Sequence, residues 1–140
     1  MRTDSETLAI RAAEVNQKAD QFTQDHLAPN APHWGKGLFD RKALFEPAGD
    51  AGLLSLQVPS ELGGLGLPFS HKVKVLNKLA HLDFSASMAL VNSHNVAVQL
   101  AKASPSELAP LYVSQLMRGT MVACTAPVSY THLRAHETLM

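Results

Sequence analysis

Near the C-terminus the segment VSYTHLRAHET, residues 128–138, places His132 and His136 one helical turn apart, with Glu137 beside them. Imidazole and carboxylate are zinc ligands, and an i, i+4 spacing on a helix would put both rings on one face. A zinc site takes three or four protein ligands, however, and the H-E-x-x-H order that places a catalytic glutamate is absent. The pattern predicts no metal site. A second stretch that invites a chemical reading is LQVPSELGGLGLPF, residues 56–69, with Gly63, Gly64 and Gly66. A phosphate cradle needs G-x-G-x-x-G between a strand and a helix, or a terminal Lys-Ser/Thr pair, and neither is present. These glycines and the flanking Pro59 and Pro68 predict an irregular loop over 58–68. Cys124 has no CxxC partner and no basic neighbour to lower its pKa, so it reads as a small apolar residue. His94 sits in an apolar run and reads as a hydrogen-bonded interior histidine.

The chain that must position these residues has 140 of them, 46% hydrophobic, which suits one domain. Lys plus Arg and Asp plus Glu balance at 12 each, with no long run of one sign, so neither nucleic acid nor an anionic membrane is an expected partner. Apolar stretches are broken well before the roughly 18 residues of a membrane span. The N-terminus MRTDSETLA lacks a signal-peptide core. A cytoplasmic protein is the expectation, and the lone cysteine is compatible with a reduced compartment.

Leu8, Ala12, Val15, Ala19 and Phe22 recur at steps of four and three, which predicts an amphipathic helix over about 5–27, stopped by Pro29 and Pro32. Asp40 is the predicted N-cap of a second helix over 40–52, where Pro47 predicts a kink or a division into two short helices. A third, over 71–82, would turn Val73, Leu76, Leu79 and Ala80 inward and Lys72, Lys74 and Lys78 outward. The segment FSASMALVNSHNVAVQLAKA, about 84–103, is apolar almost all round and is the expected central helix. SPSE, residues 104–107, offers a capping box with Pro105 at the first helical position, opening a helix over 105–118. Leu108, Leu111, Tyr112 and Leu116 would form its inner face, and Gly119 its left-handed end. TMVACTA, residues 120–126, reads as the start of a strand without a partner, and hence as the edge of a sheet supplied from elsewhere. The fold class is therefore all-α, a bundle of four to five helices followed by the first strand of a missing β-domain.

The succession GLLSLQVPSELGGLGL, LAHLDFSASMALVNSHN and SPSELAPLYVSQLMRGTMVACTA resembles the N-terminal helical domain of the acyl-CoA dehydrogenases over about residues 38–126. In that family a V-P-x-E-x-G-G-x-G loop joins two helices, and a glycine matching Gly119 leads into a β-domain whose first strand reads roughly A-L-T-E-P. The resemblance implies an oxidoreductase that desaturates the α,β bond of an acyl-CoA thioester: a C-terminal-domain glutamate takes the α-proton and FAD takes the β-hydride. It also implies an electron-transfer partner and a homo-oligomer. None of the catalytic machinery would lie in residues 1–126, so the chain by itself should be inert and should carry no flavin. Laying Asn92 on an asparagine frequent in the family puts Ala86, Ser87 and Leu90 at the wall of the acyl-chain cavity, with Val91 and His94 within a turn. Ser87 and Leu90 are the first choices. Leu90 and Val91 could equally be plain core. Thr125 and Ala126 would be the remnant of the flavin site.

Where the resemblance predicts Leu-Thr-Glu-Pro after Ala126, the chain reads Pro-Val-Ser-Tyr. Every residue of VSYTHLRAHET fits one reading frame of a nucleotide string similar to the transposase mosaic end plus adapter of shotgun DNA libraries. The expected organisation is a helical domain over 1–120, the start of a truncated β-domain over 121–126, and an adapter-derived tail over 127–140. Two other classes stay open: a flavin monooxygenase or oxidase of the same fold that uses no acyl-CoA, and a free-standing all-α interaction module.

Overall fold

A computed structural model describes residues 4–103 and 109–125 of the chain. Helix α1, Asp4–Phe22, buries Ala12, Val15, Ala19 and Phe22, with Leu8 packed at the margin, which is the face its spacing predicts. The prolines do not stop it. One π-turn, Thr23–Leu27, leads directly into α2, Ala28–Trp34, with helical dihedrals at Phe22, Leu27 and Ala28. In the π-turn the hydrogen-bond ladder slips by one residue, so the Ala28 N–H reaches the Thr23 carbonyl. Pro29 then falls in the first turn of α2, where a missing donor costs little. Thr23 Oγ1 donates to Ala19 O at 2.7 Å and Asn30 Nδ2 to His26 O at 2.8 Å, which adds donors around the slip.

Helix α3, Arg41–Asp50, starts as predicted: Asp40 Oδ1 accepts from the Lys42 N–H at 2.9 Å. Pro47 lies inside one helix rather than dividing two. An interior proline costs about 3 kcal/mol, and complete burial of Leu44 and near-complete burial of Phe45 offset a loss of that size.

The segment 51–68 carries much of the core. Leu53, Leu54, Leu56 and Val58 are fully buried. Beyond one turn of 3-10 helix at Ser60–Leu62 the loop is irregular, and three backbone bonds hold it: Leu65 N to Ser55 O, Gly66 N to Val58 O, and Leu67 N to Leu56 O, at 3.0, 2.9 and 2.7 Å. Gly64 is required by this close approach, since a Cβ there would strike the Val58 carbonyl. The glycines thus serve packing.

Helix α4 is Phe69–Leu82 and α5 is Phe84–Ala103, with Asp83 between them capping α5 by accepting from the Ala86 N–H at 2.9 Å. α5 packs against α3, α4 and α6, the central position its composition predicts. The inward face of α4 differs from the expected one: Lys72, Val75, Leu76 and Leu79 are buried, whereas Val73 is 47% exposed. Both choices satisfy helical periodicity, and contact with α5 selects the one that includes a lysine.

Helix α6 is Ala109–Met117. It buries Val113 and Leu116, while Leu111 and Tyr112, expected inside, are exposed. The capping-box residues 104–107 and Leu108 lie outside the described residues. Gly119 ends α6 at φ +74°, and its N–H reaches Leu116 O at 3.1 Å. It also lies so close to α3 that a Cβ would strike the Phe45 carbonyl.

The expected strand does not form among the described residues. Residues 122–125 are irregular, with the Ala123 N–H donating to Ser93 Oγ at 3.4 Å, because a strand needs a ladder partner and none of the described residues supplies one. Cys124, read from the sequence as a small apolar residue, is exposed there. Counting α1, the π-turn and α2 as one continuous run, the described residues form five helical segments, an all-α bundle. Ala126 and the tail with His132, His136 and Glu137 lie outside the described residues.

Candidate functional site: the groove between α4 and α5

The two helices meet on their inner faces and diverge on the outer ones, leaving an open, mostly apolar groove of about 570 Å³. Phe69, Val73, Phe84 and Met88 line it while remaining 64%, 47%, 67% and 41% exposed, a concentration of apolar side chains that monomeric surfaces seldom keep without use. Ser87 and Val91 form part of its floor. Ser87 is buried and its hydroxyl donates to Leu76 O at 3.0 Å, which ties α5 to α4 at mid-groove and leaves the Ser87 hydroxyl proton committed to the protein.

The five wall residues expected from the resemblance therefore separate. Ser87 and Val91 reach the groove. Ala86 lines a different cavity, of about 280 Å³, beside Trp34, Phe39 and Ala89. Leu90 is 1% exposed within the main core, and so is plain packing in this structure. His94 is likewise 1% exposed; its Nε2 accepts the Gln57 N–H at 3.2 Å, the interior hydrogen-bonded role that its setting predicts. Its Nδ1 finds no hydrogen-bond partner among the described residues. Burial, reinforced by the charge of Lys72 and opposed by the Asn95 side chain, pushes the His94 pKa down to about 4, so the ring is neutral near pH 7.

One groove residue escaped the sequence reading. Lys72 is 7% exposed, its Nζ donates to Asn95 Oδ1 at 2.5 Å, and it lies 5.6 Å from the centroid of the Phe69 ring. Burial lowers its pKa. The signal was present as a lysine at i of an i, i+3, i+4, i+7 apolar set with Val75, Leu76 and Leu79.

Residues 11–120 match the family described as Acyl-CoA dehydrogenase, N-terminal domain. The chain belongs to the acyl-CoA dehydrogenase family. It is also similar to the mitochondrial isovaleryl-CoA dehydrogenase of Bos taurus, 22% identical over 116 residues, which are 81% of this chain and 27% of that protein. The chain thus spans about a quarter of the length of this relative. No solved structure matches it.

Of the two expected flavin contacts, Thr125 is exposed and Ala126 lies outside the described residues. Among the described residues there is no cluster of three His, Cys, Asp or Glu side chains able to hold a metal ion, and no helix is long and apolar enough to cross a membrane.

Proposed function

We propose that this chain is the helical domain of a flavin-dependent acyl-CoA dehydrogenase and that its α4/α5 groove forms one wall of the acyl-chain pocket. The observation that carries the reading is the open apolar groove itself, floored by Ser87 and Val91, in a chain of this family. A thioester's alkyl chain needs apolar surface removed from water, at about 25 cal/mol per Å² buried, and Phe69, Val73, Phe84 and Met88 supply it. Ser87, already bonded to Leu76 O, shapes the floor and keeps the helices in register. FAD supplies hydride acceptance to the intact enzyme, and an electron-transfer partner and a homo-oligomeric assembly belong to the same reading. The base and most flavin contacts lie on other domains in this reading, so the 140-residue chain alone turns over no acyl-CoA. The bovine relative's name gives isovaleryl-CoA for that protein; it supports acyl-CoA thioesters as the substrate class here.

The test is a titration of the isotopically labelled chain with decanoyl-CoA, followed by amide NMR shifts. Perturbations should gather at Ser87, Met88 and Val91, and Val91→Trp should abolish them. Shifts that gather on α1 or α3, or saturable binding that survives Val91→Trp, would refute the pocket-wall role.

A further inference from the structure

The groove holds a charge that no carboxylate among the described residues answers. Among the described residues no carboxylate pairs with Lys72; the ion pair present on α4 is Lys78 with Asp20, at 2.8 Å on the exposed side. Asn95 Oδ1 orients the ammonium without neutralising it, and the Phe69 ring at 5.6 Å gives only partial compensation. Removing an ammonium from water costs several kcal/mol unless an anion accompanies it. The cation opens onto a groove whose lining is mostly apolar, with Phe69, Val73, Phe84, Met88 and Val91 among it, and whose other polar side chains, Asn77, Ser87 and Asn95, are uncharged. Lys72 and Asn95 mark one end and Phe84 the other, roughly 16 Å apart along α5 at the helical rise. An occupant complementary to both features is an extended apolar chain with a negative end.

We propose that the groove is built for an acyl thioester whose distal end carries a carboxylate, an ω-carboxyacyl chain, and that Lys72 is the specificity-determining residue that receives the carboxylate. This rests on the acyl-pocket reading above and narrows it to a substrate class. The carboxylate replaces the solvent that burial takes from Lys72 and accepts charge-assisted hydrogen bonds from Nζ, while Asn95 retains its own bond to the ammonium. A neutral acyl chain of equal length would leave the cation buried and unpaired. Such discrimination is large because the site carries the penalty for an unmatched charge.

The experiment uses the full 140-residue chain and two probes that differ only at the distal end, decanedioyl-CoA and decanoyl-CoA, with dissociation constants from amide shift titrations. Decanedioyl-CoA should bind at least about tenfold more tightly. Lys72→Met, which fills the same space without charge, should erase the preference from both sides, weakening decanedioyl-CoA and, with no cation left to desolvate, strengthening decanoyl-CoA. Lys78→Gln, on the exposed side of α4, should leave the preference intact. Equal affinities for the two probes, a preference that persists in Lys72→Met, or one that disappears in Lys78→Gln each overturn the proposal. So does free decanoate binding as tightly as decanedioyl-CoA, since the cation would then serve free acids. If decanoyl-CoA perturbs Ser87 and Val91 but no preference appears, only the role of Lys72 falls. If neither thioester perturbs the groove, the pocket reading falls with it.

Discussion

The two flanks of α5 are built from similar residues and end in opposite states. On one flank Ala86, Leu90, His94 and Ala97 are closed over, and even the histidine is satisfied in part by the Gln57 backbone. On the other, Phe84 and Met88 stand open beside Phe69 and Val73 of α4. Hydrophobicity does not separate the flanks. The closed flank has complementary surface within the chain, from the buried segment 53–58 together with α3 and α6, and the open one keeps Phe84 and Met88 exposed among the described residues. Selection for packing explains the first; the second retains exposed apolar area that folding of the described residues does not use, which is where a binding role belongs.

The largest expected break of the closed side comes from Gly119→Ala. The substitution places a Cβ against the Phe45 carbonyl and holds alanine at φ +74°, so unfolding in urea should show a loss of about 4 kcal/mol. An unchanged midpoint would mean that α6 and α3 are not clamped at this point. Leu90→Ala against Met88→Ala compares the flanks directly. The first should cost about 3 kcal/mol as a buried cavity, and the second less than about 1 kcal/mol. Equal costs would erase the distinction.

His94 gives a pH signature of the closed flank. Its pKa is about 4 in the fold against 6.5 in the unfolded chain, so the unfolded state takes up the proton first. The stability it confers is fully present above about pH 6.5 and is lost as pH falls towards 4, a change on the order of 3 kcal/mol. His94→Gln keeps an acceptor for the Gln57 N–H and should flatten the stability profile across that window; an unaltered slope would show that other groups set it. The smallest effect is expected at the tail. If residues 127–140 are adapter-derived, their removal should shift stability by less than about 1 kcal/mol, measured by the same unfolding assay. A loss of several kcal/mol would make them part of the fold.

Much of the helical framework is legible in the sequence because local rules decide it. The α1 stripe, the Asp40 cap and the left-handed Gly119 each depend on residues within a few positions of one another. The failures are where a partner decides. Periodicity on α4 admits 72/75/76/79 as well as 73/76/79/80, and only α5 chooses; the same ambiguity sent Leu111 and Tyr112 inward on α6 in place of Val113. Proline rules predict a stop at Pro29 and Pro32 and a kink or division at Pro47, whereas a π-turn carries the helix through the first pair and Pro47 lies inside one helix. In the site, composition places α5 and the resemblance marks Ala86, Ser87, Leu90, Val91 and His94 on it, but neither carries the tertiary contacts that put Ser87 and Val91 at the groove, Ala86 at a second cavity, and Leu90 and His94 in the interior. Lys72 was missed because a lysine on an apolar stripe is ordinarily assigned to solvent.

The three backbone bonds that lace residues 55–58 to 65–67 make the segment between α3 and α4 behave unlike an ordinary connection. Its amides at Leu65, Gly66 and Leu67 are tied down over the buried Leu56 and Val58, so their exchange with deuterated solvent requires the core itself to open. They should therefore exchange about as slowly as the amides at the middle of α5, and on the same opening event. A stretch with no ladder and scarcely a turn of helix would then report global unfolding.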